Sequence, residues 1–231
     1  MPNPTVVRPH AFNYQLQRLM IGVVAFALPV LVMTIGCDDL TSISASYHTA
    51  SRDVFVAGLA SVGLLMIPYQ GKSGEDAVEF WLSKIGGVSA IVVAFVPTSC
   101  SKIGEPTISC LVDVACSDAN RPFHLLASGI VFACLFGLCL IFRRRAFDKY
   151  HRDHYLTARV RAHIYEICML GIVVGAAFIG LEVVGVKLVG NTTVFWGEAI
   201  MLFSFSIAWL TASKILIWDG DRPSILPVKL P

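Results

Sequence analysis

Apolar residues along this chain come in blocks of about 20, separated by short polar stretches. Six such blocks can be read, at 16–37, 53–71, 78–98, 123–142, 162–185 and 193–213. At 1.5 Å of rise per residue, a helix of that length covers the roughly 30 Å hydrocarbon layer of a bilayer. The pattern predicts an all-α fold, a six-helix transmembrane bundle forming a single integral membrane domain over residues 1–231. Little chain is left between the blocks. The first block runs through Leu31 to Gly36 into Cys37-Asp38-Asp39 without a small-residue cleavage site, and a polar tail precedes it, so it is expected to be a retained helix rather than a signal peptide.

Composition points the same way. Of 231 residues, 55% are hydrophobic and 15% are charged, against about a quarter charged in an ordinary soluble domain. There is no low-complexity tract and no internal domain boundary. Near the end, Pro223 and Pro227 interrupt any helix, which makes this stretch an irregular tail.

Charge orients the bundle. The segment Arg143-Arg144-Arg145-Ala146-Phe147-Asp148-Lys149-Tyr150-His151-Arg152, followed by Arg159 and Arg161, is the densest basic stretch. By the positive-inside rule it belongs in the cytoplasm. An even number of spans then puts both termini there too, in agreement with Arg8, Arg18, Lys214, Arg222 and Lys229. The expected location is a bacterial inner membrane. Basic residues wedged between two spans fit a topology signal or a contact with anionic lipids, so membrane lipids are the expected partners and nucleic acid is not.

On this topology Cys37, Cys100, Cys110 and Cys116 all face an oxidising compartment, and they are the disulfide candidates, with three possible pairings. Three of them lie in the loop from about 98 to 122, which is expected to form a cysteine-containing extracytoplasmic cap. Cys134, Cys139 and Cys168 fall within helices, where a small apolar packing role is expected.

Ionisable groups inside hydrocarbon cost about 3 kcal/mol on insertion scales, so each needs a partner, water or a function. Glu79, Lys84, His163 and Glu166 lie near the cytoplasmic edge, where snorkelling and interfacial anchoring account for them. The outer half is richer. His48 and Asp53 flank the start of the second block, His124 opens the fourth, Glu182 ends the fifth, and Glu198 stands more than a turn inside the sixth. Their types suit metal ligation and acid–base chemistry. His48 and His124 are the candidate metal ligands, Asp53 and Glu198 the candidate catalytic carboxylates, and all four are expected to converge in one outer-leaflet pocket.

Several stretches resemble a family of bacterial multi-pass membrane proteins of unknown function: Tyr47-His48-Thr49 leading into Arg52-Asp53-Val54-Phe55-Val56, Phe95-Val96-Pro97-Thr98, Phe123-His124-Leu125-Leu126-Ala127, and Glu198 with Ile207-Ala208-Trp209-Leu210. Within them, Ser44-Ala45-Ser46-Tyr47-His48 is similar to the serine-x-x-aromatic-histidine element of the CREST superfamily of alkaline ceramidases and progestin/adipoQ receptors. That resemblance implies an intramembrane zinc, with Ser44, His48 and Asp53 taking the serine, histidine and aspartate roles and Ser44 facing substrate. The superfamily has a seventh helix with paired histidines. This chain has six blocks and carries Glu198 on the last of them.

Three function classes fit these residues. One is a zinc-dependent lipid or amide hydrolase at the outer face, in which the metal lowers the pKa of bound water. The second is a non-catalytic accessory, assembly or sensory subunit with a membrane-protein partner; Gly171, Gly175, Ala176, Ala177 and Gly180 would permit close helix approach. The third is an ion or small-molecule transporter using Glu182 and Glu198. No phosphate-binding glycine loop, zinc-protease helix or paired CxxC motif is present.

The topology is directly testable: reporter fusions at residues 145 and 110 are expected to report opposite sides of the membrane. Equal sidedness would contradict it.

Overall fold

The computed structural model describes residues 14–35, 40–71, 77–98, 118–215 and 217. Six α-helices account for most of them: α1 (Tyr14–Ile35), α2 (Arg52–Met66), α3 (Ala77–Phe95), α4 (Arg121–Asp153), α5 (Leu156–Val183) and α6 (Thr193–Ala212). No strand occurs among the described residues. Each helix packs on its sequence neighbours and α6 closes against α1, so the bundle is a ring in chain order. The cysteine-containing loop, with Cys100, Cys110 and Cys116, and also Cys37, lies outside the described residues. Cys134, Cys139 and Cys168 are buried free thiols in the core.

Five of the helices are long and apolar enough to cross a membrane. The exception is α2. The second apolar block predicts a helix to residue 71, but α2 has 15 residues, about 22 Å at helical rise. Past Met66 the chain turns at Ile67-Pro68, and Tyr69 drops into the bundle. Helix α2 still carries the chain from the 41–48 segment beside Glu198 to Tyr69 beside Glu79 at the other end of the ring.

A second departure concerns the basic stretch, which its charge predicts to be a loop. It is the continuation of α4, a helix of 33 residues, because Arg, Ala and Lys are good helix formers. The connection to α5 is only His154-Tyr155, with His154 in the left-handed conformation at φ 57°. We call this end of the ring the basic end.

Apolar side chains also cover the outside of the ring. Leu156 is 71% exposed, Ile167 69% and Phe123 64%. Exposed apolar surface on this scale needs a non-aqueous covering. Inside, helices approach closely where glycines face each other. A Cβ at Gly63 would lie 2.6 Å from the Gly87 carbonyl oxygen, and one at Gly175 would lie 2.5 Å from that of Gly197. These contacts lock α2 on α3 and α5 on α6.

The basic end is tied together by a buried polar chain. Arg145 Nη2 reaches Glu79 Oε2 at 2.6 Å, and Glu79 is fully buried. The Tyr69 hydroxyl donates to Glu79 Oε1 at 2.8 Å and receives Arg18 Nε at 3.0 Å, while Arg18 Nη1 donates to the Ala212 carbonyl at 3.0 Å. Lys84 Nζ and Ser83 Oγ both donate to the Tyr69 carbonyl. Trp209 packs edge-on to Tyr69 and Phe142. Helices α1, α3, α4 and α6 thus meet at one tyrosine from the α2–α3 turn. Glu79 and Lys84 are therefore internal ties, whereas their sequence positions suggest only an interfacial role. His163 and Glu166 do pair at i and i+3, at 2.9 Å, with Arg143 as a second partner.

Removing one member of a buried pair leaves the other charge uncompensated, which costs about 3–5 kcal/mol as a rule. Arg145 keeps 28% of its side-chain exposure, so Glu79→Ala is expected at the low end, about 3 kcal/mol less stable. Denaturant unfolding in detergent measures it, and Glu79→Gln, which retains an acceptor for Tyr69, should lose less.

Candidate functional site

At the end opposite the basic one, the chain between α1 and α2 folds into a short 3₁₀ turn, Ser44–His48. Its sequence explains why it stays short. Ser46 Oγ donates to the Ile43 carbonyl and Thr49 Oγ1 to the Ser46 carbonyl, and hydroxyls that bond back to nearby carbonyls compete with a longer helix. The amides at the start of such a turn lack partners within it.

Glu198 supplies them. Its Oε2 accepts from Ile43 N at 2.5 Å, Ser42 Oγ at 2.8 Å and Ser44 N at 3.3 Å, and its Oε1 accepts from Ser44 Oγ at 3.1 Å. All four contacts are donated to the carboxylate. One turn earlier on α6, Phe195 N donates to the Thr41 carbonyl at 3.0 Å. The 41–44 segment is thereby fastened across the end of α6.

The two histidines do a related job on α3. Pro97 disfavours helix at the residue before it, and α3 stops at Phe95. His124, on the first turn of α4, donates Nδ1–H to the Val96 carbonyl at 2.7 Å, and His48 donates Nε2–H to the Thr98 carbonyl at 2.8 Å. A carbonyl only accepts, which assigns the tautomers. Both rings are buried, His48 at 2% and His124 at 3% exposure.

Beside this assembly lies a cavity of about 570 Å³ between α4, α5 and α6. One end is polar, with Ser42, Ser44, Thr98, Arg121, His124 and Glu198. Apart from Ser128, the rest is apolar, with Leu125, Phe132 and Phe136 of α4 facing Ile172, Ala176 and Ile179 of α5, and Met201 of α6. Gly129 lines it too, and a Cβ there would meet nothing within 4 Å. The cavity follows from the connectivity. At the basic end α4 and α5 are held together by their two-residue turn. At this end α4 leans on the exit of α3 through His124, and α5 leans on α6 through Gly175 and Gly197.

Of the candidate residues, Ser44, His124 and Glu198 line one cavity. His48 lies outside its lining, committed to Thr98, and Asp53 is an exposed residue in the first turn of α2. Glu182 lies on α5 outside the lining as well. The four residues expected around zinc do not converge: only His124 and Glu198 reach this cavity, and both Glu198 oxygens already accept from the 42–44 segment. Among the described residues no three His, Cys, Asp or Glu side chains group so as to hold a metal ion. Sequence reasoning passes over Arg121, Ser42 and Ser128 as cavity residues, since an isolated polar residue in a connection or on a helix carries no signal of which gap it faces.

Comparison with known proteins adds no relative: no family model matches the chain, and neither the curated proteins nor the solved structures give a match.

Proposed function

We propose that this is an integral membrane protein that binds an amphiphile in the cleft between α4, α5 and α6. The observation that carries the reading is the segregation of the cavity wall into a polar end and a long apolar trough. Lipid-binding sites need that division, because a headgroup wants hydrogen bonds and a chain wants none. The apolar exterior of the ring supports a bilayer as its surroundings. The short α2 crosses as the sixth span, because Tyr69 at its far end joins the basic-end network while the 41–48 segment before it joins Glu198. With the basic end in the cytoplasm, the cleft belongs to the outer leaflet.

In this reading Arg121 and the outer edge of the His124 ring meet the headgroup. His124 Nδ1 is taken by Val96, leaving Nε2 as the nitrogen for a ligand. The chain lies along Phe132, Ala176 and Met201. Glu198 works indirectly, by holding Ser42 and Ser44 at the rim. Binding without chemistry fits an accessory or sensory subunit better than a hydrolase, since the Ser44 hydroxyl and the Glu198 carboxylate, both in the lining, are engaged in fastening the 42–44 segment.

Gly129 gives a clean test. Gly129→Trp meets no neighbouring atom at its Cβ and fills the trough. Native mass spectrometry of protein released from lipid nanodiscs is expected to show about tenfold less retained lipid, equivalent to about 1.4 kcal/mol, at unchanged thermal stability. Gly180→Trp, at an equally open position outside the lining, should retain lipid normally. Equal retention in both variants would contradict the reading.

A further inference from the structure

A second cavity, of about 550 Å³, lies at the basic end, between the start of α1, the extension of α4, the start of α5 and the end of α6. Its charged lining is one-sided: Arg18, Arg145, Lys149, Arg152, Arg161 and Lys214 against Asp148 alone. The α4 members recur at 145, 149 and 152, one helical face. The floor is made of Phe142, Ala146, Tyr165 and Ala212, all 5% exposed or less.

Two features separate this cavity from a solvated basic surface. Arg161 is only 4% exposed, so its guanidinium is part of the cavity wall and not a solvated side chain. The cavity also faces the interior of the ring. Phe147, Val160 and Ile167, on the same helices, carry 41%, 50% and 69% exposure on the outside. A topology signal needs charge at a membrane edge but no concave site.

Part of the basic charge is fixed in place by the protein itself. Arg145 is paired with Glu79, Arg18 with Tyr69 and the Ala212 carbonyl, and Arg152 with Asp153. The contacts of Arg145 and Arg18 hold those two guanidinium groups in set positions, which lowers the ordering cost of binding. Lys149, Arg161 and Lys214 come from three different parts of the chain and converge on the same space. Guanidinium and ammonium groups converging over an aromatic floor match a phosphate group in charge and donor geometry.

We infer that the basic-end cavity binds a phosphate ester carrying two or more negative charges, either a soluble ester or the headgroup of an anionic lipid. The site is separate from the amphiphile cleft and stands or falls independently of it.

The test uses the full chain in phosphatidylcholine nanodiscs, unaltered and as Lys149→Gln/Lys214→Gln and Arg161→Gln. One arm titrates inorganic pyrophosphate by calorimetry. The other replaces a part of the phosphatidylcholine with phosphatidic acid and reads the thermal midpoint. Saturable pyrophosphate binding, weakened about tenfold or more in the variants, supports the site with a soluble ester as its ligand. Stabilisation by phosphatidic acid that the variants lose, without pyrophosphate binding, supports it with a lipid headgroup. The double variant changes two partly exposed residues, so it keeps the test valid if Arg161→Gln fails to fold. No response in either arm, or responses equal in unaltered protein and the double variant, would overturn the inference.

Discussion

The carboxylate of Glu198 is the contact on which the candidate site depends. Four donors from three consecutive residues, Ser42, Ile43 and Ser44, end on its two oxygens. A half-buried acceptor of this kind satisfies backbone amides that a short 3₁₀ turn cannot satisfy internally. Hydrogen bonds to a charged group contribute roughly 1.5–3 kcal/mol each. The arrangement therefore outweighs the small intrinsic stability of a five-residue turn. Without it, neither the rim hydroxyls nor the cleft's polar end would have a fixed place.

The opposite end obeys the same constraint by other means. There Tyr69, Glu79, Arg18 and Arg145 satisfy one another inside the ring, and a two-residue turn joins α4 to α5. Polar chains at both ends, with glycine contacts Gly63–Gly87 and Gly175–Gly197 between them, fix the ring but leave one seam loose. That seam is where α4 and α5 part company, each held to a different neighbour. The cleft is thus a product of how the polar ties are distributed, and its apolar walls are ordinary helix faces left without a protein partner.

Much of the fold is legible because length and hydrophobicity carry it: the α1, α3, α5 and α6 blocks match helices within a few residues, apart from the earlier start of α5. The end of α2 is not, since Pro68-Tyr69 continues an apolar run whose last members fold back into the core. The extent of α4 is hidden by charge, which marks a membrane edge but does not stop a helix. At the site, Glu198 stands out because a carboxylate among Phe195, Trp196 and Met201 needs partners. What those partners are depends on how a loop 154 positions away folds over it, and no local pattern encodes that. Glu79 shows the converse. Its place within about two turns of the cytoplasmic edge suggests an interfacial role, and only the position of Tyr69 and Arg145 reveals a fully buried tie.

Amide hydrogen exchange across residues 41–48, compared between unaltered protein and Glu198→Ala in the same nanodisc, reaches the central claim most directly. If Glu198 holds this segment, the Ile43 and Ser44 amides are slow in the unaltered protein. They should exchange roughly tenfold to a hundredfold faster in the variant, as the loss of charge-assisted hydrogen bonds requires, while amides in α3 and α4 near the basic end keep their rates. Equal protection of Ile43 and Ser44 in both proteins would contradict the account.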